Sequence, residues 1–374
     1  MPRVEAVELR RLRLPLRSPF RSAHGAHGDK DVLVVRVLGA GAEGWGECAA
    51  LAQPTYTSEY TGGAQQVLRE HLIPRLLRGA GEVAGGDIGG QEVAGVLAGV
   101  KGHPMAKAAL EMAVLDAELR DCGVSLADRL GGTRTSVQAG VALGMASTVA
   151  EVVTAAEAFV AEGYRRVKLK IAPGWDVSPV TAVRAALGTA AAVQVDANGA
   201  YAGAGLEPLG ELDRLGLALI EQPLAPRDLR GHAQLAGRLR TPLCLDESIE
   251  GVADAEIALD LGACSVVNIK PGRCGGLFEA VRVHDLCMDR RVPVWCGGML
   301  ETGIGRAANL ALASLPGFSL PGDLSASDRY FDEDLTEPFV LQDGCLWVPT
   351  GPGLGVEPAP EALARFTTSV ELIG

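Results

Sequence analysis

Arg166-Val-Lys-Leu-Lys170 is a short strand-like run, basic and apolar by turns, that ends on a charge, and a run ending on a charge returns at Ala192-Val-Gln-Val-Asp196. Outward from this pair, Val137–Gly144, Leu217–Glu221, Leu243–Asp246, Val266–Lys270, Val292–Gly297 and Phe318–Asp323 complete a set of eight strand-like runs, each closing on a polar residue or glycine. From residue 170 to residue 323 their last positions fall 26, 25, 25, 24, 27 and 26 apart. Helical segments lie between most of them, for example Thr148–Glu162 and Phe278–Cys287. One strand and one helix per repeat of about 25 residues is what a (β/α) barrel produces. The continuous apolar runs suit parallel strands covered on both faces. A doubly wound open sheet competes, but it is expected to carry a Gly-rich turn after its first strand, and Val137–Gly144 has none of that form.

Residues 1–125 read as strands followed by helices. Val4–Pro15 alternates as a strand, Val32–Leu38 is an apolar run, and Gly44–Glu47 begins its return. The polar stretch Ser18–Asp31 reads as a mobile loop, and a second loop runs from Ala49 to about Ser58. Helical periodicity covers Gly63–Leu77 and Met105–Arg120, the latter with Pro104 in its first turn and Gly123 just past its end. Ala84–Gly99 reads as a Gly-rich loop running into a helix. Residues 126–325 hold the barrel repeat. Residues 326–374 carry two more strand-like pieces, Phe339–Gln342 and Cys345–Val348, and are expected to pack back on the N-terminal unit.

The chain has 374 residues, 48% of them apolar, enough for a sizeable core. Its net charge of −12 comes without a basic stripe or polybasic run, so nucleic acid and anionic membranes are poor partners. No apolar signal segment opens the sequence, and no uncharged apolar run approaches the ~20 residues of a membrane span. The eight cysteines form no C-x-x-C pair and sit mostly in apolar runs, which suggests buried free thiols in a reducing, cytoplasmic setting. Two motifs mislead. Gly39-Ala-Gly-Ala-Glu-Gly44 matches G-x-G-x-x-G, yet Trp45-Gly-Glu-Cys48 after it reads as a strand, so the glycines form a hairpin turn, not a dinucleotide site. His24 and His27 lie in the polar stretch with no acid partners nearby, and a lid role suits them better than metal binding.

The chemistry gathers at the strand ends. Lys168 and Lys170 are two apart on one strand and so point to the same side. Asp196, Glu221 and Asp246 end the third, fourth and fifth strands, and Lys270 ends the sixth. One such acid would more often cap a loop or meet an arginine. Three at a repeating interval, aimed into one mouth, repel one another unless a cation joins them. With only oxygen ligands and no His or Cys among them, that cation is expected to be Mg²⁺, with Mn²⁺ or another divalent ion able to substitute. A single lysine at a strand end is usually solvated or salt-bridged. In an eight-stranded barrel, however, strands two and six stand opposite, so Lys170 and Lys270 are expected to flank the α-carbon of a carboxylate held by the metal. The metal would stabilise the charge that develops as the α-proton leaves. Lys168 is expected to lower the pKa of Lys170. Asn198 can hydrogen-bond within the site. Glu247 either supports a lysine or ligand or is a surface acid, and Arg273 either tunes Lys270 or pairs with an acid.

Lys168-Leu-Lys170, Val195-Asp-Ala-Asn198, Ile220-Glu-Gln-Pro223, Leu245-Asp-Glu-Ser248 and Asn268-Ile-Lys270 resemble, in order, the motifs of the muconate-lactonizing branch of the enolase superfamily. Gly44-Trp-Gly-Glu-Cys48, Lys107–Arg120, Pro173-Gly-Trp-Asp-Val177, Lys270-Pro-Gly-Arg273, Trp295-Cys-Gly-Gly-Met299 and Leu320-Pro-Gly-Asp323 bring it closer to the N-succinylamino acid racemase / o-succinylbenzoate synthase family. The resemblance covers nearly the whole chain. It implies an α+β capping domain on a (β/α)₇β barrel, with residues 17–31 and 49–56 as lid loops. It implies Lys170 and Lys270 as the acid/base pair beside Lys168, and Asp196, Glu221 and Asp246 as Mg²⁺ ligands. Asn198, Glu247, Arg273, Gly298, Met299, Leu300, Tyr56, Leu51 and His24 would contact substrate or support those that do. The substrate would be a small N-acylamino acid, or the menaquinone precursor SHCHC, which such enzymes dehydrate to o-succinylbenzoate. A homo-oligomer, an octamer, is also implied.

Ala142 stands where the family tends to have Ser, Gly199 where Thr is common, and His24 and Leu51 replace the more usual Phe and Met of the lids. These differences bear on the side chain and acyl group preferred. The leading expectation is a racemase with synthase activity, to which Arg273 adds weight by resemblance. The alternatives are a dedicated synthase of menaquinone biosynthesis and a dipeptide epimerase, whose expected Asp-x-Asp is missing from Asp323-Leu-Ser325. A Schiff-base aldolase would leave the three acids unexplained, and a barrel used only for binding would leave the whole set of reactive side chains unexplained.

Overall fold

The computed structural model describes residues 4–22, 25–39, 43–82 and 88–374. Seven parallel strands follow one another in chain order: Gly140–Leu143, Arg166–Lys170, Ala192–Asp196, Ile220–Glu221, Leu243–Leu245, Val266–Ile269 and Val294–Cys296. The eighth run is not a regular strand. It closes the ring through isolated parallel bridges, Val294 with Phe318 on one side and Ala139 with Gly322 on the other. Backbone bonds from Gly140 N to Gly322 O (2.7 Å) and from Asp323 N to Cys296 O (2.9 Å) complete the closure. Ser319, Pro321 and Gly322 interrupt this run. Pro321 has no N–H to give and Gly322 no side chain to pack, so the ladder stays broken while the ring still shuts.

The other large sheet is antiparallel, in the order Thr367–Ile373, Val4–Ser22, Gly25–Gly39, Glu43–Cys48. The helix Pro104–Cys122 lies across it. That helix begins where Glu59 accepts hydrogen bonds from Met105 N (2.8 Å) and Ala106 N (2.9 Å), and it ends at Gly123 in the left-handed conformation (φ 70°). Its fit against Glu43–Cys48 is tight. A methyl group on Gly44 would lie 2.1 Å from Ala113 O, and one on Gly46 would lie 2.1 Å from Ala109 O. Alternation along the strand then turns Trp45 to the other face, where it joins the barrel-side core.

Three sequence expectations change. Within the stretch read as a loop, residues 18–22 and 25–31 are strand: pairing continues through Phe20 with His27 and Ser22 with Gly25, making a β-ribbon with an irregularity between Pro15 and Phe20. Arg17 N reaches Tyr330 O (2.8 Å) and Met145 N reaches Arg21 O (3.0 Å), so the ribbon lies on the barrel. The single helix read over Gly63–Leu77 is Thr61–Val67 and Ile73–Glu82 joined by a π-helical turn, Leu68–Leu72. Of the two strand-like pieces in the tail, Cys345–Trp347 is a strand, paired with Ser136–Gln138 beside the barrel, whereas Phe339–Gln342 is not. The sequence reading missed the helix Pro360–Phe366 and the strand Thr367–Ile373, which pairs along Val7–Leu12.

The two units meet through buried carboxylates. Glu111 accepts from Phe278 N (3.2 Å) and Leu277 N at the start of the barrel helix Leu277–Asp289. Glu47 does the same at the helix Gly303–Ala313, accepting from Thr302 Oγ1 (2.7 Å), Thr302 N (3.1 Å) and Gly305 N (2.9 Å). Acids at helix N-termini meet unpaired N–H groups and the positive end of the helix dipole. Burial nevertheless pushes both Glu47 and Glu111 up to about 7. All eight cysteines are free; Cys122 is exposed and Cys345 half-buried, while the rest are buried. Among the described residues no helix is long and apolar enough to cross a membrane.

Candidate active site

Six charged side chains from five successive strand ends converge at one mouth of the barrel. Lys168 and Lys170 do point to one side. The Lys168 ammonium has three carboxylate partners: Asp196 Oδ2 (3.1 Å), Glu221 Oε2 (3.1 Å) and, closest, Asp323 Oδ2. It also lies 4.9 Å from the centre of the Trp295 ring. Lys170 Nζ donates to Asp196 Oδ2 (2.6 Å) and Asn198 Oδ1 (2.7 Å), and Asn198 Nδ2 donates in turn to Glu247 Oε1 (2.7 Å). From the opposite strand, Lys270 Nζ donates to Asp246 Oδ2 (2.8 Å) and to the Tyr56 hydroxyl (2.9 Å), with Met299 Sδ at 3.7 Å. Arg273 is fully buried. It holds the other oxygen of Asp246, and its Nε bonds Ile249 O at 2.7 Å. The two roles left open for Arg273 are therefore one: it pairs with the same acid that binds Lys270.

Side-chain environments follow from these contacts. Burial favours the neutral carboxyl at Asp196, but Lys170 and Lys168 outweigh it and hold the group below the usual carboxylate range. Asp246 is likewise held low against burial, by Lys270 and Arg273. Glu221 is the exception. Burial and then the Asp196 charge push it well above its ordinary value, and Lys168 does not compensate. Burial also lifts Glu247 to about 7. Burial alone would lower Lys270, but Asp246 and Tyr56 keep its ammonium above the ordinary lysine range.

Asp196, Glu221 and Asp246 stand at the ends of adjacent strands and offer only oxygen, the donor set a hard divalent cation takes. Two observations fit such an ion. Burial and the Asp196 charge disfavour the ionised form of Glu221, and a cation bound there would relieve that. Glu247, next to Asp246, also has a buried oxygen, Oε2, that accepts nothing. As the side chains stand, lysines and Arg273 occupy the carboxylate oxygens. Among the described residues no three acid, histidine or cysteine side chains are gathered closely enough to grip an ion. Asp196, Glu221 and Asp246 would have to exchange their ammonium and guanidinium partners for it.

The remaining predicted positions divide. Tyr56 lies in the site, its hydroxyl 3.0 Å from Asp246 Oδ1. Met299 joins the capping core while its sulfur faces Lys270, and its carbonyl accepts from the buried Lys30 (2.9 Å). A methyl on Gly298 would come within 2.6 Å of Asp323 O, and Leu300 holds a positive φ of 59°. Leu51 is half-buried, packed against the capping core, and bridges to Tyr60. His24 lies outside the described residues.

Sequence reasoning overlooked three groups. Asp323 binds Lys168 and, at 2.7 Å, Arg166. Asn268 Nδ2 donates to Glu221 Oε1 at 2.8 Å. Gln222 Oε1 accepts from Asp246 N (2.9 Å) and so fixes the fifth strand end. A signal existed for the first two. Asp323 closes the eighth repeat, and Asn268 is two residues before Lys270 on one strand, as Lys168 is before Lys170.

Residues 5–131 match the N-terminal domain of the mandelate racemase / muconate lactonizing enzyme family, and residues 151–362 match the enolase C-terminal domain-like family. The chain is 54% identical over 372 residues to an N-succinylamino acid racemase of Amycolatopsis, covering 100% of both chains. It is 43% identical to the o-succinylbenzoate synthase of Geobacillus kaustophilus, covering 99% of this chain and 97% of the other. A solved enolase-superfamily member from Listeria innocua superposes with a TM-score of 0.93 at 38% identity, over 100% of this chain and 99% of the other. Enolase-superfamily proteins typically bind a divalent metal. With a capping sheet, a ring of parallel strands and acids at three successive strand ends, this chain belongs to the mandelate racemase / muconate lactonizing enzyme family of the enolase superfamily.

Proposed function

We propose that this protein racemises N-succinyl- and other N-acylamino acids and also dehydrates SHCHC to o-succinylbenzoate, with Mg²⁺ held by Asp196, Glu221 and Asp246. The observation that carries this reading is the pairing of two lysines from opposite strands with two different acids of one set, Lys170 with Asp196 and Lys270 with Asp246. Identity of 54% over the full length to a protein named N-succinylamino acid racemase supports the first activity, and 43% to one named o-succinylbenzoate synthase supports the second.

When bound, the cation would supply Lewis-acid stabilisation to the substrate carboxylate as negative charge moves onto it. The chain supplies the proton transfers. Lys170 Nζ, aimed by Asn198, takes the α-proton from one face, and the Lys270 ammonium returns a proton to the other. For the opposite enantiomer the two exchange roles. In the dehydration Lys170 takes the α-proton and gives it to the departing hydroxyl, which leaves as water, while Lys270, kept cationic by Asp246 and Tyr56, stabilises the developing negative charge.

Residues 1–125 would act as the capping unit on a barrel of residues 126–325, with residues 326–374 returning to it. Its segments 17–31, with His24, and 49–56, with Leu51 and Tyr56, would close over substrate opposite Gly298, Met299 and Leu300. A homo-oligomer belongs to the same reading. The test is a panel assay with Mg²⁺, SHCHC and several N-succinylamino acids. Turnover of both substrate types is expected. Dehydration without racemisation would identify a dedicated synthase, and the absence of both reactions would overturn the proposal.

A further inference from the structure

A lysine ammonium has three N–H donors and no acceptor. Three carboxylates surround that of Lys168, and two of them, Asp196 and Glu221, are proposed metal ligands. An ammonium 3.1 Å from both Asp196 Oδ2 and Glu221 Oε2 sits on the oxygens a divalent cation would take, and it repels that cation. The third partner, Asp323, ends the eighth run, outside the adjacent strand ends that carry Asp196, Glu221 and Asp246. It is held firmly in place. Its Oδ1 accepts from Arg166 Nη1 (2.7 Å), its N–H bonds Cys296 O (2.9 Å), and its carbonyl leaves Gly298 no room for a methyl group (2.6 Å). The fully buried Trp295 carries both cations on its ring, Arg166 at 4.8 Å and Lys168 at 4.9 Å.

We propose that Asp323 is a positioning residue that draws the Lys168 ammonium to itself and so leaves Asp196 and Glu221 free for the divalent cation. The inference rests on the metal reading given above. When the ion takes its ligands, Lys168 loses two of three carboxylate partners, and Asp323 with the Trp295 ring is what keeps it from competing. Asparagine at position 323 keeps the shape but loses the charge, so Lys168 would stay on Asp196 and Glu221.

The experiment titrates MgCl₂ into purified full-length protein by calorimetry, with the Mg²⁺-induced rise in melting temperature as a second readout and no substrate present. Asp323→Asn is expected to weaken Mg²⁺ binding about 10- to 100-fold, the range typical of changes to residues just behind a metal's ligands. Lys168→Met alone is expected to bind at least as tightly as wild type. The double variant Lys168→Met/Asp323→Asn is expected to recover the affinity of Lys168→Met, a rescue that a merely structural role for Asp323 would not give. Wild-type affinity in Asp323→Asn, or a double variant as weak as Asp323→Asn, would overturn the inference and leave the metal reading intact. If Asp323→Asn does not fold, Lys168→Met decides, and weaker binding than wild type overturns it. Failure of the wild type to bind Mg²⁺ would sink the metal reading itself, and this inference with it.

Discussion

Glu111 reaches from the capping helix to the first two N–H groups of the barrel helix Leu277–Asp289, and its environment makes docking of the two units depend on pH. Burial lifts its pKa from 4.5 to about 7, and the bonds from Phe278 N and Leu277 N only partly offset that. A proton therefore binds the folded state more tightly than the unfolded one. The associated stability is fully present below pH 4.5 and is lost as pH rises to 7. At about 1.4 kcal/mol per tenfold difference in proton affinity, the loss is about 3 kcal/mol. Glu111→Gln keeps the shape and an acceptor oxygen but cannot ionise. In urea denaturation at a series of pH values, wild type should lose about 3 kcal/mol relative to Glu111→Gln between pH 4.5 and 7.5. A difference that stays constant with pH, or that favours wild type at the alkaline end, would refute the reasoning.

Other changes test the site and the frame. A methyl on Gly297 would lie 2.4 Å from Lys270 Cε and 2.4 Å from Asn268 Oδ1, so Gly297→Ala should displace the lysine and cut kcat by about 100-fold, with the circular dichroism spectrum unchanged. Removing divalent ions with EDTA should abolish turnover, and Mg²⁺ should restore it; full activity in EDTA would remove the metal from the mechanism. With Mg²⁺ at about 100 times its Kd, unfolding should become harder by about 2.7 kcal/mol, read as a rise in Tm. Deleting Thr367–Gly374 would unpair the buried strand from Val7 to Leu12, and a lower Tm with concentration-dependent aggregation is expected.

The barrel could be read in the sequence because its signals are local and repeated: the apolar strands are covered on both faces, and the second to sixth each end on a charged residue. The acids at 196, 221 and 246 and the lysines at 168, 170 and 270 stood out for that reason. The ribbon around Gly25 was hidden because Arg17, Ser18, Pro19 and Arg21 are all exposed, and a ribbon wetted on both sides shows no alternation of apolar and polar residues. Thr367–Ile373 alternates weakly, and its partner lies at the far end of the chain, a pairing that no local pattern announces. Asp323 closes the eighth run as the other charged residues close theirs, but its contact with Lys168 joins the eighth strand end to the second, and no local pattern shows such a pairing.

Proton exchange at the substrate α-carbon tests most directly whether Lys170 and Lys270 work from opposite faces. Each enantiomer of an N-succinylamino acid is incubated in D₂O with Mg²⁺ and wild type, Lys170→Gln or Lys270→Gln, and deuterium uptake is followed by NMR. Wild type should exchange both enantiomers, and each variant should retain exchange on only one, a different one in each case. If both variants spare the same enantiomer, or if either still racemises, the two-lysine account is contradicted.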